Sequence, residues 1–231
     1  MKDALEKVIS EDLSEMWSVL TPEEKRKITD NFTVHNFKKN QIIYAEREEP
    51  EFLWCLLKGK AKLCKDGVGG RQQILRLIRP VQYFGYRAYF AQEPYVSTAA
   101  AMEASVLGSI PMKTVEELID ENRQVAWFFI HELSHNLGSS DTRIVNLTQK
   151  HIRGRLAEAL IVLSEHYGYE EDGVTLRVYM AREDLANLSN MTTSNAIRTL
   201  TAFVSEKLIV VDGRQIKIIN EPQLRKISKF G

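Results

Sequence analysis

Ala126, Ile130, Leu133, Leu137, Ser140, Ile144 and Leu147 follow one another at alternating spacings of four and three. A 4-3 repeat held over about three heptads is the seam of a coiled coil, and it predicts a helix presenting one apolar line to a partner helix. In a single copy that line would face water, so the simplest partner is a second copy of the chain. The pattern commits the middle of the sequence to helix.

A conflicting signal lies inside the same stretch. "HELSHNLGSSD", His131 to Asp141, contains H-E-x-x-H. On a helix His131 and His135 fall one turn apart on one face, able to share a metal, with Glu132 placed to activate its water. This is the alternative reading, a zinc metalloprotease. Such an enzyme of the long-motif type ends its helix at the glycine, here Gly138, so that the chain turns and brings in a third ligand. In this sequence the seam runs through Gly138, and "SSDTRIVNLTQKHIRGRLAEALIVL" continues the helical pattern. On that register both histidines point away from the seam as outer-face residues. A regulatory metal or haem site using one of them is a further alternative. No catalytic activity is expected.

The flanks have other periodicities. The chain of 231 residues with 44% hydrophobic content suits one large domain or two small ones. From about Phe32 to Pro111, β-rich runs such as "QIIYA", "FLWCLLKGKAKLC" and "QQILRLI" alternate with turn material such as "DGVGG", which predicts an antiparallel barrel or jelly roll. Cys55 and Cys64 stand alone in apolar runs, too few for a disulfide framework, a four-cysteine zinc site or an all-cysteine iron–sulfur cluster, and read as buried thiols. "MKDALEKVISEDLSEMWSVL" carries acids throughout and no uninterrupted apolar stretch, so neither a secretory signal nor a membrane span is expected there, and the expected address is the cytoplasm.

The last region carries the strongest functional pattern. A strand "VTLRVYM" precedes "REDLANLSNMTTSNAIRTLTAFVSEKLIV", in which Leu185, Leu188, Ile197, Leu200 and Phe203 recur at helical spacings and Ala186 is small where two helices approach. This is a helix-turn-helix. Asn190 falls in the turn, Met191 packs, and Thr192 is a natural N-cap for the second helix. "LIVVDGRQIKIIN" then forms two β runs around Asp212-Gly213, a hairpin that serves as a wing. Thr192, Thr193, Ser194, Asn195 and Arg198 present short polar groups and one arginine suited to base edges and phosphates, with Lys217 on the wing. Net charge is zero over the chain, and residues 150–231 hold twelve Lys/Arg against ten Asp/Glu. The acids gather in Glu170-Glu171-Asp172 and at the front of the first helix, leaving Arg198, Lys207, Arg214 and Lys217 to form a phosphate-facing patch.

Taken in order, these regions resemble the Crp/Fnr family of bacterial transcription regulators over nearly the whole chain. "FKKNQIIYAEREEPEFLWCLLKGKAKL" is similar to the family's opening β-roll strands with Gly59 at a turn, and "YFGYRAYFAQEPYVSTAAA" to its effector cassette. "LTQKHIRGRLAEALIVL" is similar to its hinge and following helix, and Arg198 to its DNA-contacting arginine. The resemblance implies an α+β fold with N-terminal helices and an effector-sensing, cyclic-nucleotide-binding-like β-roll (jelly roll) in residues 1–111, a long dimerisation helix in 112–149 and a winged helix-turn-helix in 150–231. It implies a homodimer that reads a palindromic site on double-stranded DNA, with RNA polymerase as a further partner and no membrane. The dimer interface would be Ala126, Ile130, Leu133, Leu137, Ile144 and Leu147. Allostery in such a protein needs two states that the effector binds unequally, and the junction at Thr148 to His151 is the expected bistable element.

The departures from the family pattern bear on the signal. Cyclic-nucleotide-responsive members carry a glutamate just after the cassette glycine and an arginine before its serine; here these are Tyr86 and Val96, and only Gly85 and Ser97 remain. A buried phosphate without its arginine is poorly compensated, by several kcal/mol. Arg87 is next door but aimed differently, and the family's adenine-contacting hydroxyl pair appears as Ser140 and Asp141, where an acid disfavours an anion. No N-terminal cysteines are present for an iron–sulfur cluster. The effector is an unidentified small molecule, a gas sensed through haem, or absent, and no cofactor is assigned. Thr193 and Ser194 stand where cyclic-nucleotide-responsive relatives put an arginine and a glutamate, so the DNA half-site should differ.

Overall fold

A computed structural model describes residues 14–230; residues 1–13, the first part of the expected N-terminal segment, lie outside the described residues. The described residues fall into two compact units, one within Met1–Asp66 and Leu75–Gly138, the other within Gly67–Ile74 and Ser139–Gly231.

The first unit opens with two helices, α1 (Ser14–Ser18) and α2 (Pro22–Asn31). The start of α2 is written in "TPEE": Thr21 Oγ1 accepts the Glu24 N–H at 3.3 Å, and the Glu24 carboxylate accepts the Thr21 N–H at 2.7 Å, with Pro22 in the first turn. Eight strands follow: β1 (Thr33–Phe37), β2 (Ile42–Tyr44), β3 (Phe52–Lys58), β4 (Ala61–Asp66), β5 (Gln72–Ile78), β6 (Tyr83–Phe84), β7 (Thr98–Ala101) and β8 (Ser105–Pro111), with a short helix α3 (Tyr86–Phe90) after β6. They form two four-stranded sheets, in the orders β1-β8-β3-β6 and β2-β7-β4-β5, antiparallel as the β-rich runs predict. Gly59 makes the turn between β3 and β4 at φ +95, where a Cβ would stand 2.3 Å from the Ser105 hydroxyl, so no other residue fits. The inward faces bury Leu53, Cys55 and Ile110 with Ile28, Val125 and Phe129 on one side, and Leu56, Ile78, Phe84 and Leu107 on the other. Each such side chain contributes about 1.5–3 kcal/mol. Both cysteines are buried and neither is in a disulfide.

The stretch expected as one helix over 112–149 is two, α4 (Met112–Glu121) and α5 (Arg123–Gln149, 27 residues). Asn122 breaks it, with φ −133 and ψ 102. Its Oδ1 accepts the Gln124 N–H at 2.9 Å, capping α5, while its Nδ2 donates to Val19 O and Glu24 Oε2, both at 3.0 Å. Beyond that break α5 carries the whole seam. Ile130, Leu137 and Ile144, seven apart, are 47%, 64% and 60% exposed, and Trp127 and Val145 are exposed beside them. Leu133, expected in the same seam, is partly buried against its own unit's core, and Ala126 and Leu147 are half-buried.

In the second unit, α6 (Ile152–Tyr167) follows a break at Lys150 and His151, the latter extended at φ −66 and ψ 162. The expected strand "VTLRVYM" is not one. Leu176 N–H donates to Ile216 O and Ile218 N–H to Val174 O, but only isolated bridges result, because the chain leaves its partner after Leu176 to enter the next helix. Then come α7 (Arg182–Leu188), α8 (Thr193–Ser205), β9 (Ile209–Asp212), β10 (Gln215–Ile218) and a closing helix, α9 (Glu221–Phe230). The two central turn residues of the hairpin are Gly213 and Arg214, since Asp212 pairs with Gln215. Leu156, Leu160, Leu163, Leu185, Leu200, Phe203, Ile216 and Leu224 are buried in this unit.

Candidate functional site

The turn between α7 and α8 is built as the sequence indicates. Leu185, Ala186 and Leu188 are buried, Asn190 takes the left-handed conformation at φ 50, and Met191 is buried behind it. Thr192 Oγ1 accepts the Asn195 N–H at 3.2 Å and starts α8. With that start fixed, α8 turns Ala196, Leu200 and Phe203 inward and leaves Thr192, Thr193, Ser194, Ile197 and Arg198 exposed. Ile197, read above as part of the apolar period, is 48% exposed: the buried stripe runs through its neighbour Ala196, about 100° around the helix. Asn195 is half-buried, and its Oδ1 accepts from Arg198 Nη2 at 2.5 Å, which holds the guanidinium along the helix face. Short donors, one branched apolar side chain and one guanidinium on a single exposed face are the chemistry that reads base edges and thymine methyls in a major groove.

The wing differs in its charges. Lys217 Nζ lies 3.5 Å from Asp172 Oδ2. Hydrogen bonds from the Thr175 hydroxyl, the Thr175 N–H and the Val174 N–H hold the Asp172 carboxyl well below the usual carboxylate range, so it stays ionised and offsets that lysine. Arg214 sits exposed at the hairpin turn, and Arg182 donates to Gly213 O beside it. Of the cations expected in the phosphate-facing patch on the wing, Arg214 is better placed than Lys217.

In the first unit, Gly85 leads directly into α3, whose first residue is Tyr86. Gly85 has φ +93, and a Cβ there would stand 2.9 Å from Phe52 O. Tyr86 is almost completely buried; its hydroxyl accepts from Asn136 Nδ2 at 3.0 Å, and its ring lies 5.2 Å from that of Phe129. Burial pushes the Tyr86 phenol up, against the pull of the nearby Arg76 guanidinium. Tyr44 and Tyr95 stack with ring centroids 3.7 Å apart, and burial raises both phenols. Arg87 is half-exposed and paired with Glu93 at 2.7 Å, so it does not aim inward. Val96 is exposed, its carbonyl accepting from Lys65 Nζ at 2.8 Å, and Ser97 is buried. Ser140 and Asp141 lie exposed on α5 within the second unit. Tyr44, Arg76, Tyr95 and Asn136 were not anticipated from sequence; Asn136 directly follows His135 in the H-E-x-x-H stretch.

That stretch stays within α5, which continues through Gly138 to Gln149. His131 and His135 are both exposed, and the His131 ring stands edge-on to Trp127 at 6.4 Å. Among the described residues no group of three or more His, Cys, Asp and Glu side chains is placed to hold a metal ion.

Residues 34–122 match the family described as cyclic nucleotide-binding domain, and residues 154–227 match the Crp-like helix-turn-helix domain. The chain belongs to the Crp/Fnr family of transcription regulators. Crp/Fnr relatives include the CRP-like cAMP-activated global transcriptional regulator of Mycobacterium tuberculosis, 22% identical over 84% of this chain and 87% of that protein. The global nitrogen regulator of a Nostoc species is 23% identical over 80% of this chain and 84% of the relative. Among solved structures, FixK2 from Bradyrhizobium japonicum superposes with a TM-score of 0.76 at 21% identity, covering 85% of this chain and 96% of that one. As a Crp/Fnr protein the chain is a DNA-binding transcription regulator with a cyclic-nucleotide-binding-like β-roll. No helix among its described residues is long and apolar enough to cross a membrane.

Proposed function

We propose that this regulator works as a homodimer that reads a two-fold symmetric DNA site through Thr193, Ser194, Ile197 and Arg198, and that its signal is not a cyclic nucleotide. The observation that carries DNA reading is the exposed row on α8, where a polar N-terminus, Ile197 and an Asn195-braced Arg198 share one face. The dimer rests on the exposed Ile130, Leu137 and Ile144 line. No catalytic step is assigned, and RNA polymerase is the machinery such a regulator acts on. Selection of binding sites from a random DNA pool tests the reading: enriched sequences should be inverted repeats with half-sites about one helical turn apart, and enrichment of a single unrepeated motif would refute it.

The effector side yields a second expectation. Tyr86 fills its own surroundings and spends its hydroxyl on Asn136, and no arginine stands at position 96. A nucleotide phosphate would have to displace a buried aromatic ring, with only Arg76 near the Tyr86 hydroxyl and no arginine at position 96. Calorimetry should therefore detect no cyclic AMP binding at micromolar concentrations, and added cyclic AMP should leave DNA affinity unchanged. A dissociation constant on the order of ten micromolar or below would show that Tyr86 yields the site.

A further inference from the structure

Seven-residue α7 ends with main-chain carbonyls that have no partner within the helix. Two of them accept from side chains far away in sequence. Gln73 Nε2 donates to Asn187 O at 2.6 Å, and Arg143 Nη2 donates to Leu188 O at 2.9 Å. The same Arg143 nitrogen donates to Ile74 O at 2.7 Å, and Arg71 Nη2 donates to the Asn190 side-chain oxygen at 2.8 Å. All of these residues belong to the second unit, which takes in Gly67–Ile74 and the last part of α5. Arg143 thus ties three segments at one point: the end of α5, the 67–74 hairpin tip and the turn of the helix-turn-helix. Both of its bonds go to neutral carbonyls rather than to a carboxylate, so the charge is desolvated for a geometric purpose. Burial alone pulls that guanidinium's pKa down.

One turn further along the same face of α5, the hinge is also held. Glu158 of α6 accepts from Asn146 Nδ2 at 3.1 Å, from Lys150 Nζ at 2.8 Å and from the Ser228 hydroxyl, and Arg155 Nη1 reaches Leu147 O at 3.3 Å. Ile144 and Leu147, both seam residues, lie on these turns next to Arg143.

We infer that Arg143, supported by Gln73 and Arg71, is a positioning residue for DNA recognition: it fixes the recognition helix α8 relative to the dimer seam and so sets the distance between half-sites the dimer accepts. The inference rests on the dimeric reading above. Arg143 touches no DNA in this account. Both bonds come from one nitrogen at the tip of a side chain that keeps its charge when desolvated; a lysine reaches one atom less far and gives up its proton more readily on burial, so it is a poor replacement.

The test uses full-length protein and the half-site obtained by selection, rebuilt as inverted repeats at the selected spacing and at one base pair more or less. One base pair turns a half-site by about a tenth of a helical turn and moves it about 3.4 Å. Wild-type protein should lose about tenfold or more at either altered spacing, a loss of the size of one mismatched position. Arg143→Met and Arg143→Lys should lose affinity at the selected spacing and show less than about a threefold difference among the three, with half-site sequence preference unchanged. Arg71→Ala with Gln73→Ala removes the other two donors and should flatten the spacing profile in the same direction, and these largely surface changes guard against a variant that fails to fold. A merely destabilised protein would lose affinity equally at all spacings and keep the optimum. A sharp wild-type optimum kept by the Arg143 variants overturns the positioning role and leaves the dimer standing; a wild-type protein with no optimum overturns the dimeric reading and the positioning role with it.

Discussion

Leu137→Glu is expected to produce a folded monomer that no longer binds its DNA site specifically. Leu137 is 64% exposed and lies midway between Ile130 and Ile144 on the same line, so it supports little of its own subunit and would sit at the centre of the proposed dimer contact. Burying a leucine contributes about 1.5–3 kcal/mol, and a two-fold interface buries it twice. Placing two carboxylates there removes that gain and sets like charges against each other, so dimerisation should weaken by at least about 3–6 kcal/mol, a hundredfold or more in dissociation constant. Leu133 offers a poorer test although it belongs to the same 4-3 repeat, because it packs on its own unit's core and a charge there would damage the fold. Sedimentation at micromolar concentration should find wild-type dimer and variant monomer, with the variant's melting of the β-roll retained. A wild-type monomer, or a variant that stays dimeric, would sink the assignment of the seam.

The features legible in the sequence were those whose cause is local. The 4-3 spacing required a long helix, Thr192 required a helix start, Asn190 suited a left-handed turn, and the β-rich runs between turn residues became antiparallel strands at the stated positions. What stayed hidden depends on residues distant in the chain. Asn122 breaks the long helix because it is held by Glu24, 98 residues earlier; Tyr86 is held by Asn136 across 50 positions, and Arg143 by Ile74 across 69. No periodicity encodes such pairings. Ile197 could on sequence either pack or meet a thymine methyl: spacing places it near both Ala196 and Leu200, and only packing decides which of adjacent apolar residues faces in. Lys217 was counted as a free cation because charge patterning registers numbers, whereas Asp172 reaches it through a turn that the sequence does not reveal. Helix α9 could have been found, since Asn220 Oδ1 accepts the Gln223 N–H at 3.1 Å, a cap spelled out by "NEPQ".

Arg198→Ala should have the largest effect on sequence discrimination. The residue follows the Thr192 cap by nearly two turns, so it shares the outward face with Thr193 and Ser194 but reaches deeper along α8. Asn195 braces it from the preceding turn, which lowers the freedom lost when the guanidinium engages DNA. A bidentate pair with guanine contributes about 1–3 kcal/mol of discrimination, and a symmetric dimer makes it twice, so specific binding should weaken by about 2–6 kcal/mol if the two contacts act independently. Binding to scrambled DNA should change much less. Arg214→Ala provides the contrast, since an exposed cation at the hairpin turn suits a phosphate: its loss should fall about equally on all sequences and make the salt dependence shallower by about one unit per contact. Lys217→Ala should do less, because Asp172 already offsets its charge. Measuring the variants on the selected site and on scrambled DNA at several salt concentrations separates the cases. If Arg198→Ala weakened both DNAs equally, Arg198 would be a phosphate contact, and base reading would pass to Thr193, Ser194 and Ile197.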